Sequence, residues 1–234
     1  MPGRIANVWP PRLVAGEPTG TAERLLSWSD TLLRRAGVRL AQVLLRSSRG
    51  GDASLLVRHG YRFTAELLYL VCEVTAAADV ASDHELVFTA CGEQDRQRLL
   101  RVITATYDGT QDIPALNGLR SPEDVLDGYA HPGADATPHW FLVTHHSDDA
   151  GCLLLCDYPA AAQLELVYMG LVPAARGRGW GADIVRFTQY SALATQRTRV
   201  VLAVDAANDP ALVTYGRAGF FEWDRRSLFL KVLS

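Results

Sequence analysis

The chain has 234 residues, 48% of them hydrophobic and 21% charged, with a formal net charge of -3. Such a length buries one large core or two small ones. The near-neutral balance, with Arg34-Arg35, Arg176/Arg178 and Arg225-Arg226 as short pairs and not a basic stripe, gives no support for nucleic-acid binding, four cysteines are too few for a disulfide scaffold, and no apolar run reaches the roughly 18 residues that mark a membrane span, so a cytoplasmic protein with neither nucleic-acid nor membrane partners is expected.

The start, Met1-Pro2-Gly3-Arg4, has no signal-peptide core and leads into proline-rich loop material. A helix is predicted over 22–36, a strand over 39–45, then a short helix, a Gly60-Tyr61 turn and an apolar strand ending near Leu70. Residues 85–89 read as a strand and 93–106 as a helix with Leu99, Leu100 and Ile103 inward. A polar loop over 107–118 carries Asp108 and Asp112. Ser121-Pro122-Glu123-Asp124 has the N-cap, first-turn proline and acids of another helix. Strands over 140–144 and 152–156 are joined by the polar segment 145–151. His145 and His146 are adjacent, which is poor geometry for one metal even with His139 nearby, and Cys152 and Cys156 have no second pair to complete a tetrahedral site. No metal is expected.

The apolar run Leu164 to Leu171 reads as a central strand. Strict alternation puts Glu165, Val167 and Met169 on one face and Leu164, Leu166 and Tyr168 on the other. Gly170 suits a bulge or a close backbone approach. Next comes Val172-Pro173-Ala174-Ala175-Arg176-Gly177-Arg178-Gly179-Trp180-Gly181, followed by a helical stretch. Glycines in a first helical turn expose N-H groups where the dipole favours an anion, and Arg176 and Arg178 add charge suited to a pyrophosphate. The spacing is neither that of a nucleoside-triphosphate loop nor that of a dinucleotide fingerprint, which disfavours a nucleotide-binding oxidoreductase. A strand over 199–204 follows, then a short helix with Asp209 at the N-cap and Pro210 at its first position, Gly219-Phe220 and a last strand. Strands and helices in this order give an α+β, mixed α/β three-layer fold on one mostly antiparallel central sheet.

The first 80 residues echo the end of the chain. Residues 53–70 and 211–230 each read as a short helix, a Gly-aromatic turn and an apolar strand, and each is preceded by a helix and a strand. Aligning Gly60 with Gly219 sets Arg49 opposite Asn208 and Leu56 opposite Tyr215. The first copy lacks both polar residues, and nothing before Ala22 resembles the glycine loop. It is expected to be a half domain over 1–80 kept for packing, before a complete domain over 81–234.

Residues 164–173 with Arg176-Gly177-Arg178-Gly179-Trp180-Gly181, and then Asn208-Asp209-Pro210-Ala211, Tyr215 and Gly219-Phe220, resemble the central strand, cofactor loop and second signature of the GCN5-related N-acetyltransferase (GNAT) superfamily. The match covers about residues 85–234, and the half copy resembles the tandem members with one degenerate domain, distantly the mycothiol synthase type. The resemblance implies that acetyl-CoA lies with its pyrophosphate on residues 176–181 and its pantetheine arm along Met169, Leu171 and Val172. Asn208 either holds pantetheine or orders the turn; Trp180, where relatives carry a smaller residue, lies against the sheet or the adenine.

Transfer of an acetyl group to a primary amine of a small molecule or peptide needs a neutral amine and a protonated leaving thiolate, and no enzyme nucleophile. Tyr215 matches the family's acid, unless it only fills the core beside Leu212. Glu165 is the base candidate, acting directly or through water, unless it is a rim carboxylate paired with an arginine. Asp108 and Asp112 are candidates to bind a cationic acceptor, or solvated loop acids. The competing function is a non-catalytic acyl-CoA-binding or protein-interaction module on the same scaffold, which would have no need of Glu165, Arg176, the glycines, Asn208 and Tyr215 together.

Overall fold

The computed structural model describes residues 2–74, 85–131 and 135–233. The architecture is mixed α/β, with central sheet flanked by helices. The chain divides into two compact units: Met1–Leu67 with Ile113–Gly128 and Arg225–Ser234, and Leu68–Asp112 with Tyr129–Asp224. The boundary expected between residues 80 and 81 falls in 75–84, outside the described residues.

In the first unit, β1 (Ile5–Asn7) pairs parallel with β2 (Leu40–Leu45), which pairs antiparallel with the Ser227–Val232 part of β9 (Phe221–Val232). Strand β3 (Arg62–Glu73) is the apolar strand that follows the Gly60-Tyr61 turn. Strand β1 lies in the segment read as loop from its prolines. Helices α1 (Thr21–Arg35) and α2 (Gly51–Arg58) bury Leu26, Ala53, Leu55 and Leu56 with Val43, Tyr61 and Phe229. Each fully buried leucine contributes about 1.5–3 kcal/mol by leaving water. Helix α4 (Pro122–Tyr129) begins as its sequence predicts, with the Ser121 hydroxyl accepting from the Asp124 N-H at 3.1 Å.

The second unit carries β4 (Leu86–Ala90), α3 (Arg96–Thr106), β5 (Thr137–His145), β6 (Asp148–Tyr158), β7 (Gln163–Leu171), α5 (Trp180–Ala194), β8 (Arg199–Asp205) and α6 (Asp209–Arg217). The order β8-β7-β6-β5-β4 is antiparallel except at β7-β8. The β5-β6 hairpin is tighter than its polar sequence suggests: only His146 and Ser147 form the turn, and His146 takes a left-handed φ of 54°. Helix α3 starts at Arg96, after a 3-10 turn over Glu93–Asp95.

A bulge in β7 decides which side chains face which way. Leu166 pairs with Leu155 but Tyr168 pairs with Leu154, so Val167 is the extra residue. The bulge reverses the alternation downstream. Glu165, Tyr168 and Gly170 therefore share one face with Cys152, Leu154 and Cys156, while Leu164, Leu166, Met169 and Leu171 share the other. That corrects the grouping of Glu165 with Met169 expected from strict alternation. The second face packs on α5, where Ile184, Val185 and Ala192 are fully buried with Leu153, Leu155 and Leu164.

The repeat is visible in backbone detail. Helices α1 and α5 both have 15 residues and both start after a left-handed glycine, Gly20 and Gly179, each at φ 83°. Helices α2 and α6 end alike, with Gly60 and Gly219 each at φ 87°. There Tyr61 N-H donates to the Leu56 carbonyl at 3.0 Å and Phe220 N-H to the Tyr215 carbonyl at 3.1 Å. Both are the glycine-terminated helix ends that need a residue without a Cβ penalty.

Candidate active site

Strands β7 and β8 pair from Gln163-Arg199 to Leu166-Leu202, and no further pair is formed beyond the bulge. The strands part there, and the gap opens into a pocket of about 640 Å3 whose lining includes Met169 and Leu171 from β7. Three other elements complete it. The end of α3 and its loop bring Thr106 and Asp112; the glycine loop brings Arg176, Gly177, Gly179, Trp180 and Gly181; α6 brings Pro210, Thr214 and Tyr215 behind Asn208.

The glycine loop is shaped for an anion. Gly177 and Gly179 have φ of 76° and 83°, where a side chain is strained, and a Cβ at either would meet nothing within 4 Å. Gly179 is the N-cap of α5 and offers no side-chain cap, so the first-turn N-H groups lack that partner. This open, left-handed loop at a helix N-terminus fits a pyrophosphate, whereas the Arg178 guanidinium lies over the Trp180 ring, outside the lining of this pocket.

Arg176 does something the sequence does not reveal. Its Nε donates to the Leu171 carbonyl at 3.1 Å and its Nη2 to the Thr106 carbonyl at 2.9 Å, tying the end of β7 to the end of α3. Trp180 is a core residue, 6% exposed. Its indole N-H donates to Glu85 at 3.3 Å, Arg178 lies 5.0 Å over its ring, and His145 packs on it at 4.7 Å. Val172 packs on the core at the foot of the loop.

Asn208 caps α6, its side-chain oxygen accepting from the Ala211 N-H at 3.3 Å, so the cap lies one residue before the Asp209 expected. Tyr215 is 5% exposed, and its ring lies 5.6 Å from that of Phe220. Burial pushes the Tyr215 hydroxyl pKa up, and the negative charge of Asp112 pushes it further. Asp112 accepts from the Asp205 N-H at 3.1 Å; burial raises its own pKa, the Asp205 N-H opposes that, and the charge of Asp205 adds to it. Asp112 thus comes together with Tyr215, whereas Asp108 is exposed and borders none of the pocket.

Glu165 also stays outside the lining. Burial raises its pKa against an opposing hydrogen bond from Tyr158. Tyr168, grouped by strict alternation with Leu164 and Leu166, lines the pocket: its hydroxyl is 2.7 Å from Thr106 Oγ1 and its ring stacks on Tyr129. Gly170 is required for that contact, since a Cβ there would meet Thr106 Cβ at 2.7 Å and the Tyr168 hydroxyl at 2.9 Å. Only alternation around an unseen bulge could have marked Tyr168.

No family model matches the chain. Over 141 residues it is 30% identical to a mycothiol acetyltransferase of Corynebacterium efficiens, a match covering 60% of this chain and 38% of that relative. The chain thus spans well under half the length of that curated relative. Among solved structures it is similar to a GCN5-related N-acetyltransferase from Sphaerobacter thermophilus, with a TM-score of 0.62 at 16% identity, covering 93% of this chain and 69% of that one. It is also similar to a tandem GNAT protein from the clavulanic acid biosynthesis pathway, with a TM-score of 0.60 at 14% identity, covering 99% and 76%. Among the described residues no helix is long and apolar enough to cross a membrane.

Proposed function

From the fold of the GNAT superfamily, which this chain has in tandem, two-lobe form, we propose that it is an acetyl-CoA-dependent N-acetyltransferase acting on a primary amine of a small molecule or peptide. One observation carries the reading: a single pocket is bordered at once by the parted strand, the left-handed glycine loop, Asp112 and Tyr215.

Acetyl-CoA, when bound, supplies the activated thioester. We assign the pyrophosphate to the first-turn amides of α5 with Arg178, and the pantetheine arm to the stretch of chain past the β7-β8 pairing, along Met169, Leu171 and Val172. Arg176 holds that stretch in place from behind. The Tyr215 hydroxyl, whose raised pKa keeps it protonated at neutral pH, is assigned delivery of a proton to the leaving sulfur. Asp112 is assigned the acceptor's ammonium group. Glu165, raised by burial toward the range in which a carboxylate takes up a proton at neutral pH, is assigned deprotonation of the amine through solvent. Direct attack by the neutral amine then needs no enzyme nucleophile, because holding the reactants together supplies much of the rate.

The test is a thiol-release screen with acetyl-CoA against polyamines, aminoglycosides, amino acids, peptide N-termini and, on the strength of the Corynebacterium relative, amines related to mycothiol. Amine-dependent thiol release supports the proposal. A chain that binds acetyl-CoA yet releases thiol with none of these favours the non-catalytic module.

A further inference from the structure

The first unit contains a pocket of about 740 Å3 at the end of β2 and the start of α2. Four arginines border it, Arg12, Arg46, Arg49 and Arg226, against one carboxylate, Asp52. Asp52 pairs with Arg12 at 3.2 Å. Arg46 and Arg49 add two further positive charges to the lining, in a chain whose formal net charge is -3, and like charges gathered at one cleft favour an anionic ligand.

The backbone and the apolar wall narrow the ligand class. Arg46 and Arg49 are exposed on the loop Arg46-Ser47-Ser48-Arg49-Gly50-Gly51 that runs from β2 into α2. Gly50, at φ 110°, caps the helix without a side chain, and a Cβ at Gly50 or Gly51 would meet nothing within 4 Å. The guanidiniums and the first-turn amides are therefore reachable from the same open space. Trp9 in the lining is 76% exposed, and Pro10 and Leu44 add apolar surface to the same pocket.

The repeat supplies an independent argument. In the second unit the corresponding place, between β8 and α6, borders the pocket with Asn208 and Pro210. Arg49 stands where the alignment of Gly60 with Gly219 puts Asn208. The half copy has kept a cleft at this position and exchanged a neutral amide for guanidinium, which selects a more highly charged ligand.

We propose that this pocket binds a phosphorylated small molecule, with phosphate on Arg46, Arg49 and the start of α2 and a flat ring against Trp9. The phosphate could come from a nucleotide or from a polyphosphate without a base. Calorimetric titration of pyrophosphate and of ADP into the wild type and into Arg46→Ala/Arg49→Ala tests the site. The double variant is expected to bind both about 10- to 100-fold more weakly, the loss for two charge-assisted contacts. Arg46→Lys/Arg49→Lys should keep an intermediate affinity, and binding should weaken as salt rises. Tighter binding of ADP than of pyrophosphate identifies a nucleotide as the source; equal binding identifies phosphate alone. No binding by the wild type overturns the proposal, as does equal affinity in wild type and double variant. If the double variant fails to fold, Arg49→Ala alone decides by the same criterion.

Discussion

Arg176→Ala should lower stability before it lowers cofactor affinity. The guanidinium gives two hydrogen bonds, to the carbonyls of Leu171 at 3.1 Å and Thr106 at 2.9 Å. A bond from a charged donor is worth about 1.5–3 kcal/mol. Because Arg176 is only half-buried and water can replace part of each bond, the pair together should cost about 2–4 kcal/mol. For a domain of this size that lowers Tm by about 5–15 °C. Arg176→Lys carries the same charge but not the planar fork, so it should recover less than half of the loss. Thermal melts of the three proteins, paired with calorimetric titration of acetyl-CoA, separate anchoring from simple attraction. An alanine variant that melts with the wild type while binding acetyl-CoA more weakly would refute the anchoring argument.

Three further outcomes follow from individual contacts. Glu165 has a carboxyl raised by burial above its ordinary value of 4.5, with the Tyr158 hydrogen bond opposing; the folded state therefore holds its proton longer than the unfolded state, and stability falls as pH rises above that value. Glu165→Gln removes this titration, so urea melts should show the variant gaining on the wild type as pH rises above that ordinary value, and parallel curves would contradict the burial assignment. Gly170→Ala forces a methyl onto Thr106 and the Tyr168 hydroxyl, which should cost about 1–3 kcal/mol in urea melts; an unchanged midpoint would mean that the close pass can relax freely. Tyr215→Phe keeps the ring packed on Phe220 and removes only the hydroxyl, so turnover should fall about 10- to 1,000-fold with acetyl-CoA affinity intact, and wild-type turnover would remove the hydroxyl from the chemistry.

What could be read from the sequence follows how local each signal is. The glycine loop and the Asn208-Tyr215 signature are contiguous patterns, and Arg176, Gly177, Gly179, Trp180 and Gly181 of the first border one pocket with Asn208, Pro210, Ala211 and Tyr215 of the second, while Val172 and Arg178 stay outside its lining. The half copy was legible because its helix, glycine turn and strand recur in order, although the left-handed Gly20 that matches Gly179 has no side-chain pattern to announce it. The bulge at Val167 was not legible, since Leu-Glu-Leu-Val-Tyr-Met reads as unbroken alternation and the extra residue is set by pairing with β6. Its consequence is large: it turns Tyr168 away from Leu166 and separates Glu165 from Met169. The task of Arg176 was hidden for a different reason, because one of its acceptors, Thr106, lies 70 positions away in the chain. Gly170 was singled out correctly as special, but what it accommodates is a threonine and a tyrosine and not the bulge itself.

The central claim is that acetyl-CoA binds at the glycine loop of the second unit. Calorimetric titration of acetyl-CoA into the wild type and Gly179→Val tests it most directly, since Gly179 combines a φ of 83° with open space over the loop. The valine strains the left-handed N-cap by about 1–2 kcal/mol and covers the amides, so the account predicts binding by the wild type and a loss of at least about tenfold in a variant that still melts cooperatively. No binding by the wild type, or the same affinity in both proteins, would contradict it.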